Sequence, residues 1–234
     1  MKTLKKDLRK QSDKDRVRIS QSFFKTERGQ YGEGDIFLGV TVPKQRLIAK
    51  EAAKRISLED IQKLLSSKIH EERFISLLLL IERYKKANEE ERKSIFSFYI
   101  NNAKKINNWD LVDVSAPKII GRYLLEKKDR IILFKLSKSE NLWEKRIAIV
   151  STFEFIRKNQ FNETLEISKI LLKDKHDLIH KAVGWMLREI GKRDRKSLEK
   201  FLSENYGNLP RTTLRYAIER FPEDLRQKFL KGNI

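Results

Sequence analysis

The sequence predicts an all-α protein, a superhelix (solenoid) of stacked helical hairpins. Helix signals recur from end to end, and strand signals are scarce. Polar residues that sit early in a helical segment, each followed by apolar residues, recur at intervals of 37, 36, 35 and 34 residues, at Arg73, Asp110, Arg146, Lys181 and Arg215. A period in the mid-thirties filled by two helices is typical of an α-solenoid, because a single hairpin cannot bury its apolar face alone.

The N-terminal part predicts one helix followed by a glycine-rich loop. Ser12 and Asp15 have the spacing of a helix N-cap and its N3 partner, which predicts a helix towards Phe24. The stretch ERGQYGEGDIFLGVTVP, at 27–43, holds four of the nine glycines and predicts a loop. Pro43 suits the first turn of the next helix, where its missing N–H costs nothing.

The following segments show helix starts and one apolar helix face. Ser57, with Asp60 at the capping-box spacing, predicts a helix start. In HEERFISLLLLIERYKK, at 70–86, apolar residues at i, i+3, i+4 and i+7 form one face: Phe74, Leu77, Leu78 and Ile81. Later helices are predicted to open at Asn108, Asn141, Asp177 and Pro210. No low-complexity linker interrupts the chain, so we expect a single domain over 1–234, with N-terminal helices and the loop over 1–42 and repeats over 43–234.

The composition favours a polyanionic partner. Lys and Arg total 52 against 33 Asp and Glu, which gives a net charge of +19 and a pI near 9.9. Such an excess is typical of proteins that bind nucleic acid or acidic surfaces, although a lysine-rich solvated surface is the simpler alternative. The absence of cysteine excludes disulfides, a thiolate nucleophile and Cys-ligated zinc. The longest apolar run, 74–81, is too short to span a bilayer and no secretory signal is evident, so we expect a cytoplasmic protein without membrane contact.

The stretch NNWDLVDVSAP, at 107–117, combines a tryptophan, two aspartates and a proline in a basic chain. Trp109 and Asp113 are four residues apart and share a helix face, while Pro117 should kink or end that helix. All three tryptophans fall on the repeat series; Trp143 suits the core or a wall, whereas Trp109 and Trp185 suit either the core or a cleft. The stretch is therefore either a capped, kinked helix or a cation-attracting pocket within an anion-attracting surface.

Other sites of chemistry find little support in the sequence. His176 and His180 have i, i+4 spacing, but no third metal ligand is evident. The YGEGD stretch lacks the Lys-Ser/Thr of a phosphate-binding loop. No Ser/His/Asp arrangement is present. We therefore predict no metal site and no cofactor.

Five stretches in chain order resemble one family: HEERFISLLLLIERYKK, NNWDLVDVSAPKIIG, LWEKRIAIV, KAVGWMLREIGK and PRTTLRYAIERFP. They are similar to the AlkD-type DNA alkylation-repair glycosylases. The resemblance implies a superhelix of HEAT-like repeats with double-stranded DNA in a basic concave cleft. It also implies hydrolysis of the N-glycosidic bond of positively charged N3- and N7-alkylated purines, without metal or cofactor. We expect the protein to be a monomer.

The same resemblance implies roles for individual residues. Asp113 matches the catalytic carboxylate of the WDxVD motif. Trp109 and Trp185 match aromatic residues that contact the lesion-bearing nucleotide. Arg146 matches the cleft arginine of WxxR, and Arg188 matches an arginine that contacts the DNA backbone.

Three further residues are predicted to contact DNA. Lys181 and Arg215 occupy equivalent repeat positions, and Thr41 lies in the loop before Pro43, where some members of the family have Gln. The chain also departs from the family in having Asn before Trp109, where some members have two adjacent aromatics, and in its longer YGEGD loop. These departures set the N-terminal part of the chain apart from those members.

Two alternative functions remain open. The first is a non-catalytic protein that binds damaged or branched DNA on the same scaffold, with Asp113 as a capping or structural residue. The second is a helical scaffold for protein–protein contacts, a common use of solenoids. A base-release assay separates the glycosylase from the DNA binder, and a salt-dependent DNA titration separates both from the scaffold.

Overall fold

A computed structural model of the chain describes residues 1–233; the predicted domain boundary at Ile234 lies outside them. The described part is α-helical, and the one β-type pairing in it is an isolated parallel bridge between Ile36 and Ile69. The predicted all-α class is confirmed. The chain divides into two compact units, one from Met1 to Ser115 and one from Ala116 onward. That all of it forms a single domain stays a prediction.

The first unit contains seven α-helices among its described residues. They are α1 (Lys2–Lys10), α2 (Lys14–Phe23), α3 (Val42–Ala52), α4 (Leu58–Leu65), α5 (His70–Lys86), α6 (Glu89–Asn101) and α7 (Trp109–Ala116). Helix α5 is central because both α3 and α4 pack against it. The apolar face predicted for it is buried, at Phe74, Leu77, Leu78 and Ile81.

The second unit starts with a π-helical turn, Pro117–Gly121, directly after α7. The prediction that Pro117 ends or kinks this helix is confirmed in that α7 ends at Ala116, although the chain stays helical in the π-helical turn that follows. The following helices are α8 (Arg122–Leu124), α9 (Ile131–Ser137), α10 (Leu142–Ser151), α11 (Phe153–Ile156), α12 (Asn162–Leu171), α13 (Asp177–Gly191), α14 (Arg195–Asn205), α15 (Arg211–Ala217) and α16 (Glu223–Lys231).

Helix α13 packs against α10, α12, α14 and α15 and is the centre of this unit. It packs tightly against α15 at Gly184, where an added Cβ would lie 2.5 Å from Cβ of Tyr216 and 2.7 Å from the backbone oxygen of Thr213. A side chain at this position would therefore force the two helices apart. Four of the five repeat positions identified in the sequence lie in the first half of a helix, in α5, α7, α10 and α13, whereas Arg215 is the fifth of the seven residues of α15.

Most of the predicted helix starts are observed. The side chain of Ser57 accepts the backbone N–H of Asp60, and Asn141 caps α10 through two backbone N–H groups. Asn108 and Pro210 directly precede α7 and α15. Asp177 is the first residue of α13, whose cap is His176.

The predicted start at Ser12 is wrong by one residue. Asp13 caps α2, because its carboxylate accepts the N–H groups of Asp15 and Arg16 and its own N–H donates to Leu38 of the glycine-rich loop. This last bond fixes Asp13 in the extended conformation that a cap requires.

The N-terminal segment is tied to the centre of the first unit by Glu71 and Glu72. Both carboxylates are buried, although they belong to the first turn of α5. Glu71 accepts the backbone N–H groups of Leu38, Gly39 and Val40. Glu72 accepts a 2.7 Å ion-paired hydrogen bond from Lys5 of α1. The glycine-rich loop is therefore an ordered part of the unit. In the described part of the chain, no helix is both long and apolar enough to cross a bilayer.

Candidate functional site

Helix α7 begins at Trp109, within the stretch NNWDLVDVSAP at 107–117. The side-chain oxygen of Asn108 accepts the N–H of Trp109 at 2.8 Å, and its backbone oxygen accepts the N–H of Val112. The Asn108 side chain is buried, and its amide donates to Asp35 at 3.3 Å. Trp109 and Asp113 lie one turn apart on this helix, and both side chains are half-buried.

Trp109 is packed against aromatic side chains of the N-terminal segment. Phe24 stacks on its ring at a centroid distance of 5.3 Å and an interplanar angle of 19°. Phe23 meets the same ring edge-on at 5.7 Å. The indole N–H donates to the hydroxyl of Tyr31 at 3.2 Å. The segment that contains α2 and the glycine-rich loop therefore provides the immediate surroundings of this tryptophan.

Asp110, the other carboxylate at the start of α7, belongs to a buried ionic network. Its side chain accepts a 2.8 Å hydrogen bond from Nε2 of His70, whose Nδ1 lies 3.3 Å from Asp35. Arg73 donates to the same Asp35 oxygen at 2.7 Å. With His70 protonated, two cations face two carboxylates, and the network is neutral.

The network perturbs the pKa values of its members. Burial lowers the pKa of His70, but the charge and hydrogen bond of Asp110, with the bond to Asp35, outweigh it and raise that pKa to about 9. Burial raises the pKa of Asp35, but the His70 hydrogen bond and the charge of Arg73 outweigh it and leave the pKa below the usual value. His70 is therefore a buried imidazolium at neutral pH, and Asp35 is an ionised carboxylate.

Asp113 has a different environment from Asp110. It lies near Tyr99, a fully buried residue whose hydroxyl is 2.8 Å from the hydroxyl of Ser115. Burial raises the pKa of Tyr99; the Ser115 bond opposes this rise, and the negative charge of Asp113 adds to it. Asp110 is thus hydrogen-bonded to His70, whereas the charge of Asp113 acts on the buried hydroxyl of Tyr99.

Thr41 lines a cavity in the first unit, as do Asp110 and His70. The cavity measures about 260 Å³, and its walls also include three phenylalanines: Phe24, Phe37 and Phe74. Thr41 precedes α3 but makes no capping hydrogen bond through its side chain. The structure therefore brings Thr41 together with Asp110, whereas Trp109 and Asp113 do not line this cavity.

In the second unit, Arg146 and Trp185 lie on adjacent helices, α10 and α13. The Arg146 side chain is buried, at 5% exposure, and donates to the backbone oxygen of Leu178 in the first turn of α13 at 2.6 Å. Trp185 is half-buried, and its ring centroid lies 5.8 Å from that of Phe153.

The remaining predicted DNA-contacting side chains differ in how firmly they are held. Lys181 forms an ion pair with Asp177, one turn earlier, at 2.7 Å. Arg188 is paired with Glu219 of the next hairpin and lies 3.8 Å from Glu189. Arg215 is exposed on α15. Surface ion pairs contribute little to stability.

Sequence reasoning missed the residues that surround Trp109. Phe24, Tyr31 and His70 are 39 to 85 residues away from it in the chain, so no local spacing predicts the contacts. One signal was available: Tyr31 and Phe37 stand in the stretch 27–43 that was predicted to be a loop, and Phe23 and Phe24 come just before it. The two histidines considered as a half metal site are engaged elsewhere, His176 as the cap of α13 and His180 with the backbone oxygen of Asp174.

Comparisons with known proteins agree with this description. No curated protein matches the chain. A solved structure described as a predicted DNA alkylation repair enzyme from Enterococcus faecalis is similar in fold, with a TM-score of 0.70 and 17% sequence identity. The similarity covers 91% of this chain and 98% of that one. Residues 4–221 match the family described as DNA alkylation repair enzyme, and the chain therefore belongs to that family.

Proposed function

We propose that this protein is a DNA glycosylase that removes positively charged N3- or N7-alkylated purines from double-stranded DNA. Membership of a DNA alkylation repair family supports a role in alkylation repair. The observation that carries the finer proposal is the placement of a carboxylate, Asp113, on the same helix face as Trp109. Asp113 is half-buried and lies one turn away from Trp109 on this helix.

The chemistry of the substrate suits a carboxylate that acts without a general acid. A purine alkylated at N3 or N7 already carries a positive charge, so it leaves without protonation by a general acid. The bond between C1′ and the base nitrogen breaks, and its electron pair stays with the base. Positive charge then develops on the deoxyribose, where ionised Asp113 stabilises it and orients the attacking water. The water oxygen bonds to C1′ and its proton passes to solvent.

Aromatic side chains provide selectivity for a charged base. The faces of Trp109 and Trp185 attract a cation, and each such contact contributes about 0.5–2 kcal/mol. A neutral guanine gains less from these rings and less from Asp113. The difference between the two bases, rather than binding of DNA as such, accounts for discrimination in this proposal.

The basic residues serve to hold the phosphate backbone. The side chains proposed to contact the phosphates are those of Arg146, Lys181, Arg188, Arg215 and Thr41. The net charge of +19 agrees with a binding constant that falls steeply with salt. Lys181 and Arg188 would exchange their carboxylate partners for phosphate oxygens when DNA arrives.

Release of 7-methylguanine and 3-methyladenine from methylated DNA tests the proposal. We expect Asp113→Asn to slow release by about 10²-fold or more, the scale of losing one electrostatic stabiliser, while DNA affinity persists. Asp224→Asn is the matched control, because it removes the same charge from an exposed position on α16. Equal release by the parent and the Asp113→Asn protein would rule out the glycosylase mechanism.

One observation favours the alternative, a non-catalytic binder of damaged or branched DNA. The indole N–H of Trp109 already has a partner in Tyr31, and Phe24 already stacks on its ring. A tryptophan engaged in this way can serve as part of the fold. Tight binding to branched DNA with no base release from the parent protein would establish this alternative.

A further inference from the structure

Asp35, at the end of the YGEGD stretch in the glycine-rich loop, is a point where three donors meet. Its Oδ2 atom accepts a hydrogen bond from Arg73 at 2.7 Å and longer bonds from His70 and Asn108, both at 3.3 Å. The side chain of Asp35 is 8% exposed, and those of His70 and Arg73 are 4% and 5% exposed. A buried polar network whose members are all satisfied in this way is rigid, so this carboxylate has a fixed position.

Backbone hydrogen bonds fix the chain on both sides of this carboxylate. The N–H of Asp35 donates to the carbonyl oxygen of Gly32 at 3.1 Å. The N–H of the next residue, Ile36, donates to the carbonyl oxygen of Lys68 at 3.0 Å, and its own carbonyl accepts the N–H of His70 at 2.8 Å. These two bonds form the parallel bridge that directly precedes α5. The loop therefore presents Asp35 from a backbone that is attached to the central helix of the unit.

Two of the three donors lead to the residues on either side of Trp109. Asn108, directly before Trp109, donates its amide to Asp35, and its side-chain oxygen accepts the backbone N–H of Trp109 at 2.8 Å. His70 bonds Asp35 through Nδ1 and, through Nε2, bonds Asp110, directly after Trp109, at 2.8 Å. One carboxylate of the loop thus holds the start of α7 on both sides of the tryptophan.

The YGEGD stretch contacts α7 through both of its ends. Tyr31, its first residue, accepts the indole N–H of Trp109 at 3.2 Å, and Asp35, its last residue, holds the backbone before and after Trp109. The longer YGEGD loop and Asn108 are also two of the places where the sequence departs from the family members that it resembles. In the structure these two departures are hydrogen-bonded to each other. The way in which α7 is held is therefore a feature of this chain.

We propose that Asp35 is a positioning residue for α7, which holds the helix start through Asn108 and His70 and thereby sets the positions of Trp109 and Asp113. The inference rests on the proposed function for the roles of Trp109 and Asp113, and Asp35 acts through the helix rather than on the substrate. A displacement of about 1 Å in a reacting group can slow a reaction by about 10²-fold. A loosened α7 should therefore slow base release more than it weakens DNA binding, which depends on phosphate contacts.

Single-turnover release of 7-methylguanine from methylated DNA separates positioning from stability. Asp35→Asn removes the charge and keeps the shape of the side chain. We expect it to slow the single-turnover rate about tenfold, with the amplitude and the DNA affinity of the parent protein. A loss of folded protein would instead lower the amplitude. Glu33→Gln is the matched control, because Glu33 is an exposed residue of the same stretch whose carboxylate accepts the N–H of Gly29, and it should react at the parent rate.

The indole cross-peak of Trp109 in the ¹H–¹⁵N spectrum of the protein without DNA gives a second readout. We expect this cross-peak to shift in Asp35→Asn and to stay in place in Glu33→Gln, while the cross-peak of Trp185 stays in place in both. The spectrum does not depend on glycosylase activity. If the parent protein released no base, the proposed function would fail, and the Trp109 cross-peak alone would decide whether Asp35 positions α7.

Asn108→Leu is a second variant, which keeps the ion pair of Arg73 with Asp35 and removes the direct link to α7. It should also slow the single-turnover rate and shift the Trp109 cross-peak, and it decides the question if circular dichroism shows that Asp35→Asn does not fold. Because the two residues act through a shared link, we expect the double variant to be faster than the product of the two single effects predicts.

The proposal is overturned if the folded Asp35→Asn and Asn108→Leu proteins match Glu33→Gln in rate and in the Trp109 cross-peak. Given a parent protein that releases base, a change in the rate alone or in the cross-peak alone also overturns it, because positioning requires both. Independent effects of the two substitutions in the double variant would do the same. None of these results bears on Asp113 itself, which is tested separately with Asp113→Asn.

Discussion

Trp109 and Trp185 lie in very different surroundings, although the family resemblance predicts that both contact the lesion-bearing nucleotide. Trp109 is stacked on Phe24, meets Phe23 edge-on, and donates its indole N–H to Tyr31. Trp185 has one aromatic neighbour in the part of the chain that the structure describes, Phe153, at 5.8 Å. Within residues 1–233, no hydrogen bond involves its indole N–H. The first tryptophan is thus held by two rings and a hydrogen bond, whereas the second has one ring contact.

The origin of the difference is the N-terminal segment. Phe24, which stacks on Trp109, also packs on Phe37 and on His70, at 5.2 and 4.8 Å. His70 in turn bridges Asp35 of the glycine-rich loop and Asp110 of α7. The aromatic side chains around Trp109 therefore pack against the ionic network through His70. In the second unit, a single ring supports the tryptophan, and so the two sites should respond differently to mutation.

Removing His70 should produce the largest effect. The His70→Ala change leaves the carboxylates of Asp35 and Asp110 without their shared cation, and breaking a buried ion pair in this way costs about 3–5 kcal/mol. We expect a correspondingly lower free energy of unfolding in urea, and a loss of near-ultraviolet aromatic signal from the packing at Trp109.

His180→Ala is the matched control in the second unit. His180 is half-buried and bonds one backbone oxygen, that of Asp174, so its loss should cost no more than about 1 kcal/mol. If the two histidine variants were equally stable, the ionic network would not be what supports the packing at Trp109.

Deprotonation of His70 at high pH should also lower the free energy of unfolding, by somewhat less than the His70→Ala change does. The folded pKa of His70, about 9, lies above its ordinary value of 6.5. The stabilisation is therefore complete below about pH 6.5 and is lost as the pH rises through about 9. A rise of this size corresponds to about 3 kcal/mol.

Urea unfolding at pH 6.5 and pH 9.5 measures this loss. We expect the parent protein to be less stable at the higher pH, with much of the loss absent from His70→Ala. The difference between the two proteins isolates His70 from the lysines, whose titration they share. Parallel pH profiles would contradict a charged His70 in the folded state.

The sequence predicted the helices better than the contacts between them. Helix α5, the cap at Asn141 and the end of α7 at Pro117 follow from spacing within a few residues, and the structure agrees. The shared face of Trp109 and Asp113 follows from the same helical period. Asp110 was recognised only as a repeat position, because its ion pair with His70 joins residues 40 apart.

The N-terminal segment shows why the rest could not be predicted. Its glycines indicated a loop, and three of them adopt positive φ, at Gly29, Gly34 and Gly39. Nothing local indicates that a carboxylate of α5 collects the backbone of this loop, or that Tyr31 accepts a bond from Trp109, 78 residues away. Such contacts depend on tertiary packing, which a single sequence does not encode in any short spacing.

The smallest expected effect is that of Tyr31→Phe, and it compares the hydrogen bonding of the two tryptophans directly. Tyr31→Phe removes the acceptor of the Trp109 indole N–H and leaves the ring in place. Loss of one such bond should cost about 1 kcal/mol. In the ¹H–¹⁵N spectrum, the indole N–H of Trp109 should exchange with solvent faster than in the parent protein, and that of Trp185 should not change.

Tyr216→Phe is the matched control, because Tyr216 is exposed on α15 and its loss of a hydroxyl should leave both indole signals unaltered. An unchanged Trp109 exchange rate in Tyr31→Phe would mean that stacking on Phe24, and not the hydrogen bond, is what shields the first tryptophan and separates it from the second.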